Sequence, residues 1–555
     1  MSNVNLNPTP NHKVYGIDLG TTYSAISFIN EHGKAEIIKN SSNDSVTPSV
    51  VFFESPENII VGKIAKVSGS TGPEAALRVA DFVKNQMSSQ TWKFTADGSE
   101  YGPVEISSLI LKRLVEDARR TGGHDVRDVV ITCPAYFGDL ERERTRQAGE
   151  LIGLNVMEIL DEPVAAAINY GLNDRNIEGK NIIVYDLGGG TIDVTIISIG
   201  NDSGKTEIRV ICTEGDHQLG GKNWDDQIVQ YYLSEFCNKT GIDIMQDTSQ
   251  DKHRTLYDLR IWAEEDKKNL TERNEISRGI FFDGRNEVIT LSREEFNMRT
   301  TDLLERTITL TDKALEFARS QGVEVIHSFL LVGGSTRMPQ VEAKIIEKYS
   351  GSLGVTPVYF DVDEAVAKGA AMEALILSIK KRFLNITDPS EIENTIKIVS
   401  LETGLSPAQI RKYIGINTQK VATKSYGIEI LGNRVSNLIT KQTSVPTERK
   451  KHFVTADDNC NALNLVVYSN NENGEYADLS MCTKVGQVEF ELPQTLGSNM
   501  PIDIQFTLTG EGKLLLYACD PTHNQTKEAT FTPDGALTDQ QMKDSIRKVG
   551  TLTVA

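Results

Sequence analysis

Two short segments carry the residues best suited to chemistry. In residues 182 to 198, IIVYDLGGGTIDVTIIS, an apolar β-branched run ends at Asp186. Gly188, Gly189 and Gly190 follow, then Thr191, Asp193 and a second β-branched run. This is strand, tight turn, strand. Without Cβ atoms, the glycines let backbone N–H groups approach a ligand closely. Carboxylates at such a turn reach a hard divalent cation, usually through its waters, while amides take phosphate oxygens. The segment therefore fits polyphosphate with a metal ion; the alternative is a glycine-rich hairpin with surface acids. Residues 14 to 29, VYGIDLGTTYSAISFI, repeat the pattern with Asp18, Gly20, Thr21, Thr22 and Tyr23. Asp18 and Asp186 stand 168 positions apart. Two such hairpins at domain-scale separation predict a duplicated lobe with nucleotide in the cleft between copies.

The rest of the chain must position these turns. With 555 residues it exceeds what one core supports, so two to four domains are expected. Hydrophobic content of 39% and charged content of 24% are those of a soluble globular protein. A net charge of −19 argues against nucleic-acid and anionic-membrane partners. No apolar run reaches the length of a transmembrane helix. Residues 1–12 are polar and read as a disordered tail without a signal-peptide core. Six cysteines without CxxC spacing fit reduced thiols, give no zinc signal and suggest a cytoplasmic location.

In chain order, strands are expected from Val14 to about Phe53 and helical periodicity over 104 to 121. Strand, turn and charged helix are expected in DVVITCPAYFGDLERERTRQ, and Pro163 opens an alanine-rich helix just after Glu162. The amphipathic helix 257 to 270 carries Glu264, Lys267 and Lys268 on neighbouring turns. Helix spacing alone would make these a surface salt-bridge pair. Residues 324 to 340 run from an apolar strand into Gly333 and Gly334, where backbone approaches a flat ligand such as a purine. Residues 384–420 hold two capped helix starts, Asp388-Pro389 and Ser406-Pro407. From about Val421 to Thr532, seven or eight short strands predict an all-β sandwich, and one more helix begins near Leu537.

GIDLGTTYS, CPAYFGDLER, ILDEPVAAAINYGL, YDLGGGTIDV, GDHQLGG, LVGGSTRMP and DEAVAKGAA, in this order over about residues 13 to 380, resemble the 70-kDa heat-shock chaperones of the DnaK type. The resemblance implies an α/β actin-like (RNase H-like) ATPase domain of two lobes over 13–383. It further implies a helical linker over 384–420, a β-sandwich peptide-binding domain over 421–535, and a truncated lid helix over 536–555. ATP or ADP with magnesium, and potassium as a further candidate, would be the cofactors. Asp18, Asp186, Asp193 and Glu162 would position magnesium, mostly through water. Thr21, Thr22, Gly188 and Gly189 would bind phosphate, with Thr191 beside the γ-phosphate. Lys84, in FVKNQ, would be the catalytic lysine, against a bland reading as a solvated surface residue. Gly20, Tyr23, Gly190, Gly220, Gly221, Glu264, Lys267, Lys268, Thr271, Gly333, Gly334, Ser335, Arg337 and Asp363 would complete the nucleotide site. Pro134 and Arg142 match a pair implicated in signalling between the domains. Ile428, Ile430, Leu431, Phe453, Ala456, Leu463 and Leu465 would contact peptide, unless they are sandwich core. Extended client peptides, a J-domain co-chaperone and a nucleotide exchange factor are the implied partners.

The chain departs from the family at four places. Lys268 stands where an arginine usually stacks on adenine, and Lys222 and Asn223 stand where acids are usual. The short acidic-leucine linker has no counterpart, and no long helical lid follows Leu537. Weaker nucleotide binding, altered coupling and rapid peptide release are expected from these. Two other classes remain open: a nucleotide-gated scaffold with one dedicated partner, and a small-molecule kinase.

Overall fold

The computed structural model describes residues 13–555 apart from 174–178, 203–204, 457, 459, 511, 532 and 534. The proposed tail, residues 1–12, lies outside the described residues.

Two sheets repeat one plan. In the first, Val14–Asp18 is central, antiparallel to Tyr23–Ile29 and parallel to Asp128–Cys133. Ala35–Ile37 and Asn155–Asp161 lie outside these two. In the second, Lys180–Leu187 is central, antiparallel to Ile192–Asp202 and parallel to Ser328–Val332. Lys205–Asp216 and Pro357–Tyr359 flank that set in the same way. Strand order and direction match position for position, so the duplication suggested by two hairpins is a duplication of whole lobes. Asp18 and Asp186 occupy equivalent places, each near the carboxyl end of its central strand.

The near-continuous apolar runs in these strands follow from helices covering the sheets, because a strand covered on both faces has no solvent side. The helix Glu162–Asn173 crosses the helix Ala365–Arg382 between the lobes. There, a Cβ on Gly369 would sit 1.8 Å from the carbonyl oxygen of Ala165, so only glycine permits the crossing. Trp224, Tyr232 and Phe236 on the helix Gly221–Thr240 are fully buried in the second lobe.

Residues 384–420 form two helices, Pro389–Thr403 and Pro407–Ile414. Their first turns are capped by the side chains of Asp388 and Ser406. Ile396, Val399, Ile410 and Tyr413 pack into the core beneath the two sheets. The strand Asn417–Val421 then joins the second lobe's sheet, parallel to Lys205–Asp216. It also pairs with Ser444–Val445 of the following domain.

That domain is a two-layer sandwich. One sheet runs Tyr476–Asp478, Arg434–Ile439, Ser425–Ile430, Cys460–Asn470, Thr483–Leu496. The other runs Thr447–Val454, Pro501–Leu508, Leu514–Asp520, Gln525–Phe531. Ile504, Phe506 and Leu516 fill the space between them.

The last helix, Asp539–Gly550, does not cover the sandwich as a lid would. It packs on the first lobe, against the helices Pro103–Gly122 and Asp139–Leu151. The short strand Thr553–Val554 follows and pairs in parallel with Asn58–Val61. The reason is its apolar side: Leu537, Met542, Val549, Leu552 and Val554 all join the first lobe's core. No helix among the described residues is long and apolar enough to cross a membrane.

Candidate functional site: a carboxylate-rich cleft between the lobes

A cavity of about 510 Å³ opens between the two lobes. The central strands deliver Asp18 and Asp186 to its floor, and the hairpin turns deliver Gly20, Thr21, Thr22, Tyr23, Gly188, Gly189 and Thr191 to its wall. Glu162, the first residue of its helix, and Lys84, in the 3₁₀ turn Val83–Gln86, also line it. The second lobe's far side contributes Glu264, Lys267, Lys268 and Thr271 from one helix. Gly333, Gly334, Ser335, Arg337 and Asp363 come from the loops after its parallel strands.

Four expected residues lie outside this lining. Asp193 is set back, with Oδ1 accepting from the backbone N–H of Tyr136 at 3.1 Å. Gly190 lies against Thr21 and Asn85, whose amide donates to the Gly190 carbonyl at 3.2 Å. Gly220 backs onto it: a Cβ there would meet the Gly190 backbone at 2.5 Å. Gly221 donates its N–H to the carbonyl of Gly188 at 2.9 Å. These residues shape the turn and leave its contacting face to Gly188 and Gly189.

Lys84 is buried and so is not a solvated surface residue: Nζ lies 2.5 Å from Glu162 Oε1. Burial pulls its pKa down, but Glu162 and Asp18 outweigh that and hold the ammonium above its ordinary value. The carboxylates show the opposite strain. Burial, then the charge of Glu162, raises Asp18 to about 7 and Asp193 to about 8. Asp186 is raised by the same two causes and by Asp193. One lysine therefore faces four buried carboxylates. Such a surplus of negative oxygen ligands fits a hard divalent cation, which would lower all these pKa values together.

The cleft's mouth is clasped from both lobes. Glu264 accepts from Lys66, from Tyr23 Oη at 2.8 Å and from Lys268 Nζ at 2.6 Å. Lys268 also donates to Tyr23 Oη at 2.9 Å. Burial raises the Glu264 pKa, but Lys66 and Lys268 overcome it and leave the carboxyl well below its usual range. Lys267 is buried and pairs with Asp225 at 2.8 Å, not with Glu264. Ser335 Oγ donates to the Gly188 carbonyl at 2.9 Å, tying the loop after Ser328–Val332 to the glycine turn of the hairpin. Arg337 and Asp363 pair at 2.7 Å on the exposed rim.

Sequence reasoning did not single out Lys66, Asn85, Thr132 or Asp225. Thr132 Oγ1 donates to Asp18 at 3.2 Å from the neighbouring strand. Asp225 was within reach, being one helical turn past the Gly220-Gly221 pair; Lys66 and Asn85 carry no local signal.

Arg142 lies beside the contact between the first lobe and the sandwich. It pairs with Asp161 at 2.5 Å and donates to the carbonyls of Phe137 and Ala135. Next to it, Asp139 accepts from Tyr426 Oη of the sandwich at 2.8 Å. Lys441 pairs with Glu214, Gln442 exchanges hydrogen bonds with Thr213, and Lys420 of the connecting strand pairs with Glu158.

The expected peptide contacts divide into two groups. Ile428 and Leu465 are buried in the sandwich core, with Ile430, Phe453 and Leu463 packed partly against it. Leu431, 79% exposed, and Ala456, also exposed, stand just beyond the strands Ser425–Ile430 and Thr447–Val454.

The family model described as Hsp70 protein matches residues 14–399 and 405–552 of this chain. The match takes in both lobes, the connecting helices, the sandwich and the terminal helix. The chain belongs to the Hsp70 family, chaperones whose members are ATPases.

Proposed function

We propose that this protein binds Mg-ATP between its lobes, hydrolyses it, and uses the sandwich to hold extended apolar peptide segments. The observation that carries the nucleotide reading is the pair of equivalent hairpins facing one cavity of about 510 Å³, with the Lys84–Glu162 pair beside Asp18 and Asp186 in its lining. The repeated strand order supports an actin-like (RNase H-like) domain over residues 13–383. A magnesium ion would supply the positive charge shared by phosphate oxygens and the aspartates. Phosphoryl transfer to water needs mainly positioning and charge neutralisation. Here Gly188, Gly189, Thr21 and Thr22 bind and orient phosphate, Lys84 neutralises charge building on the transferred group, and Thr191 stands beside it. Asp186 orients water, with Asp193 positioned behind it by Tyr136.

Leu431 and Ala456 are the groups available to close over a peptide, and main-chain hydrogen bonds would supply most affinity. The partners are extended clients, a J-domain protein and an exchange factor, in the cytoplasm; potassium is a further candidate ligand of the cleft. Calorimetric titration with Mg-ATP and steady-state phosphate release test this reading. A folded chain that takes up no Mg-ATP overturns it. A second reading, a nucleotide-gated scaffold with little turnover, is favoured by the partly buried ion pairs Lys420–Glu158 and Lys441–Glu214, which hold the two halves together. Turnover stimulated by a J-domain protein decides for the chaperone.

A further inference from the structure

Residues 535–555 leave the sandwich and are built into the first lobe along their whole length. Arg144 donates to the Gly535 carbonyl at 2.7 and 3.1 Å. Gln147 exchanges hydrogen bonds with the backbone of Leu537 in both directions, at 2.8 and 2.9 Å. In the helix, Ser545 donates to Glu105 at 3.1 Å and Val549 is buried. Beyond it, Leu552 and Val554 are 4% and 6% exposed, and Lys112 donates to the Leu552 carbonyl at 2.8 Å. The backbone then extends a sheet: Thr553 donates to Glu57, Ala555 donates to Ile59, and Val61 donates to Ala555. Buried side chains and strand addition together make this a seat with specific register.

The lengths of chain on either side of the sandwich give this seat its meaning. The strand Asn417–Val421 is fixed in the second lobe's sheet, and four residues later Ser425 opens the sandwich. At the other end the sandwich closes at Phe531, and four residues later Gly535 is held by Arg144. Four Cα steps reach about 14 Å at full extension. One such tether allows a domain to swing. Two, fixed to different lobes, oppose both swinging and withdrawal, because release of one leaves the other holding its partner at high effective concentration.

We propose that residues 535–555 are a strap that keeps the sandwich seated on the two-lobed half whether the cleft holds ATP, ADP or neither. The inference rests on the nucleotide reading above only in naming these states. The family resemblance alone leads to coupling in which docking follows the nucleotide; the strap removes that dependence.

The test is hydrogen–deuterium exchange by mass spectrometry on the full chain, without nucleotide, with Mg-ADP and with Mg-ATP. Amides of 417–421 and of 553–555 are expected to exchange within about threefold of one another's rates across all three conditions, by the protection that buried ladder hydrogen bonds confer. In Leu552→Asp, which places a charge in the seat, the amides of 417–421 are expected to exchange at least about tenfold faster with ADP than with ATP. Should that variant fail to fold, Thr553→Pro removes the bond to Glu57 without touching a buried side chain and carries the same expectation. Tenfold nucleotide dependence at 417–421 in the unaltered chain overturns the strap. So does a folded, strap-released variant whose 417–421 amides exchange as in the unaltered chain. Failure of the nucleotide reading is seen separately, as absence of Mg-ATP uptake in calorimetry.

Discussion

Lys84 Nζ and Glu162 Oε1 meet at 2.5 Å on the floor of the cleft, both side chains shielded from water. Removing one member of a buried pair leaves the other's charge unbalanced, at a cost of roughly 3–5 kcal/mol. Lys84→Ala should therefore lower stability by about that amount and reduce ATP turnover on the order of 100-fold or more. Mg-ATP affinity should change far less, because glycine and threonine contacts remain. Pairing it with Glu162→Gln should restore much of the stability and none of the turnover. Turnover close to that of the unaltered chain in Lys84→Ala would remove this lysine from the mechanism.

A second expectation concerns pH. Asp18 and Asp193 sit at about 7 and about 8 in the folded chain, above the ordinary carboxyl value near 4. A carboxyl raised by folding stabilises the fold while protonated, and that contribution is lost as pH rises through 7 to 8. Without ligand, the cleft should thus weaken the protein between pH 5 and pH 8.5. Metal competes with those protons, so the gain in melting temperature from Mg-ATP should grow with pH. Thermal melts with and without Mg-ATP at pH 5.5, 7 and 8.5 check this; a gain that is flat or falls with pH contradicts it.

Lys268 is held between Glu264 and Tyr23 at the mouth of the cleft. Arginine there could keep the contact to Glu264 while presenting a planar face to a base. Lys268→Arg should tighten ATP binding by about two- to tenfold in calorimetry. Unchanged or weaker binding would mean that the clasp, not stacking, governs this position.

For the sandwich, exposure separates two kinds of residue. Leu431→Asp should weaken binding of a leucine-rich peptide by about tenfold with a stability change within about 0.5 kcal/mol, as for an exposed site. Ile428→Asp should destabilise the domain by several kcal/mol, since it buries a charge in the core. Fluorescence anisotropy with a labelled peptide, alongside thermal melts, measures both. Peptide binding by Leu431→Asp equal to that of the unaltered chain would place the peptide elsewhere.

The hairpins were legible because their chemistry is local: strand, Asp, glycine and hydroxyl fall within a few residues. So were the helices after Asp388 and Ser406, whose caps are local as well. Lys66 illustrates what was not legible. Nothing in its neighbourhood foretells a partner 198 positions away at Glu264, because such contacts are made by lobe closure and leave no periodic trace. Asn417–Val421 is similar: NTQKV has little apolar character, and only the open edge of Lys205–Asp216 makes it a strand. The terminal helix has a plain apolar side, which the family resemblance assigned to a truncated lid; only the long-range packing shows that the first lobe covers it.

The second lobe's sheet does not stop at the lobe. It runs through Asn417–Val421 to Ser444–Val445, so the two halves share one ribbon of backbone hydrogen bonds. Pulling them apart would mean unzipping that ribbon, and the strand Lys205–Asp216 would be left with a bare row of N–H and C=O groups at its rim. Such a rim accepts whatever extended chain arrives next. Keeping that edge occupied guards a member of a chaperone family against being templated by extended chains around it.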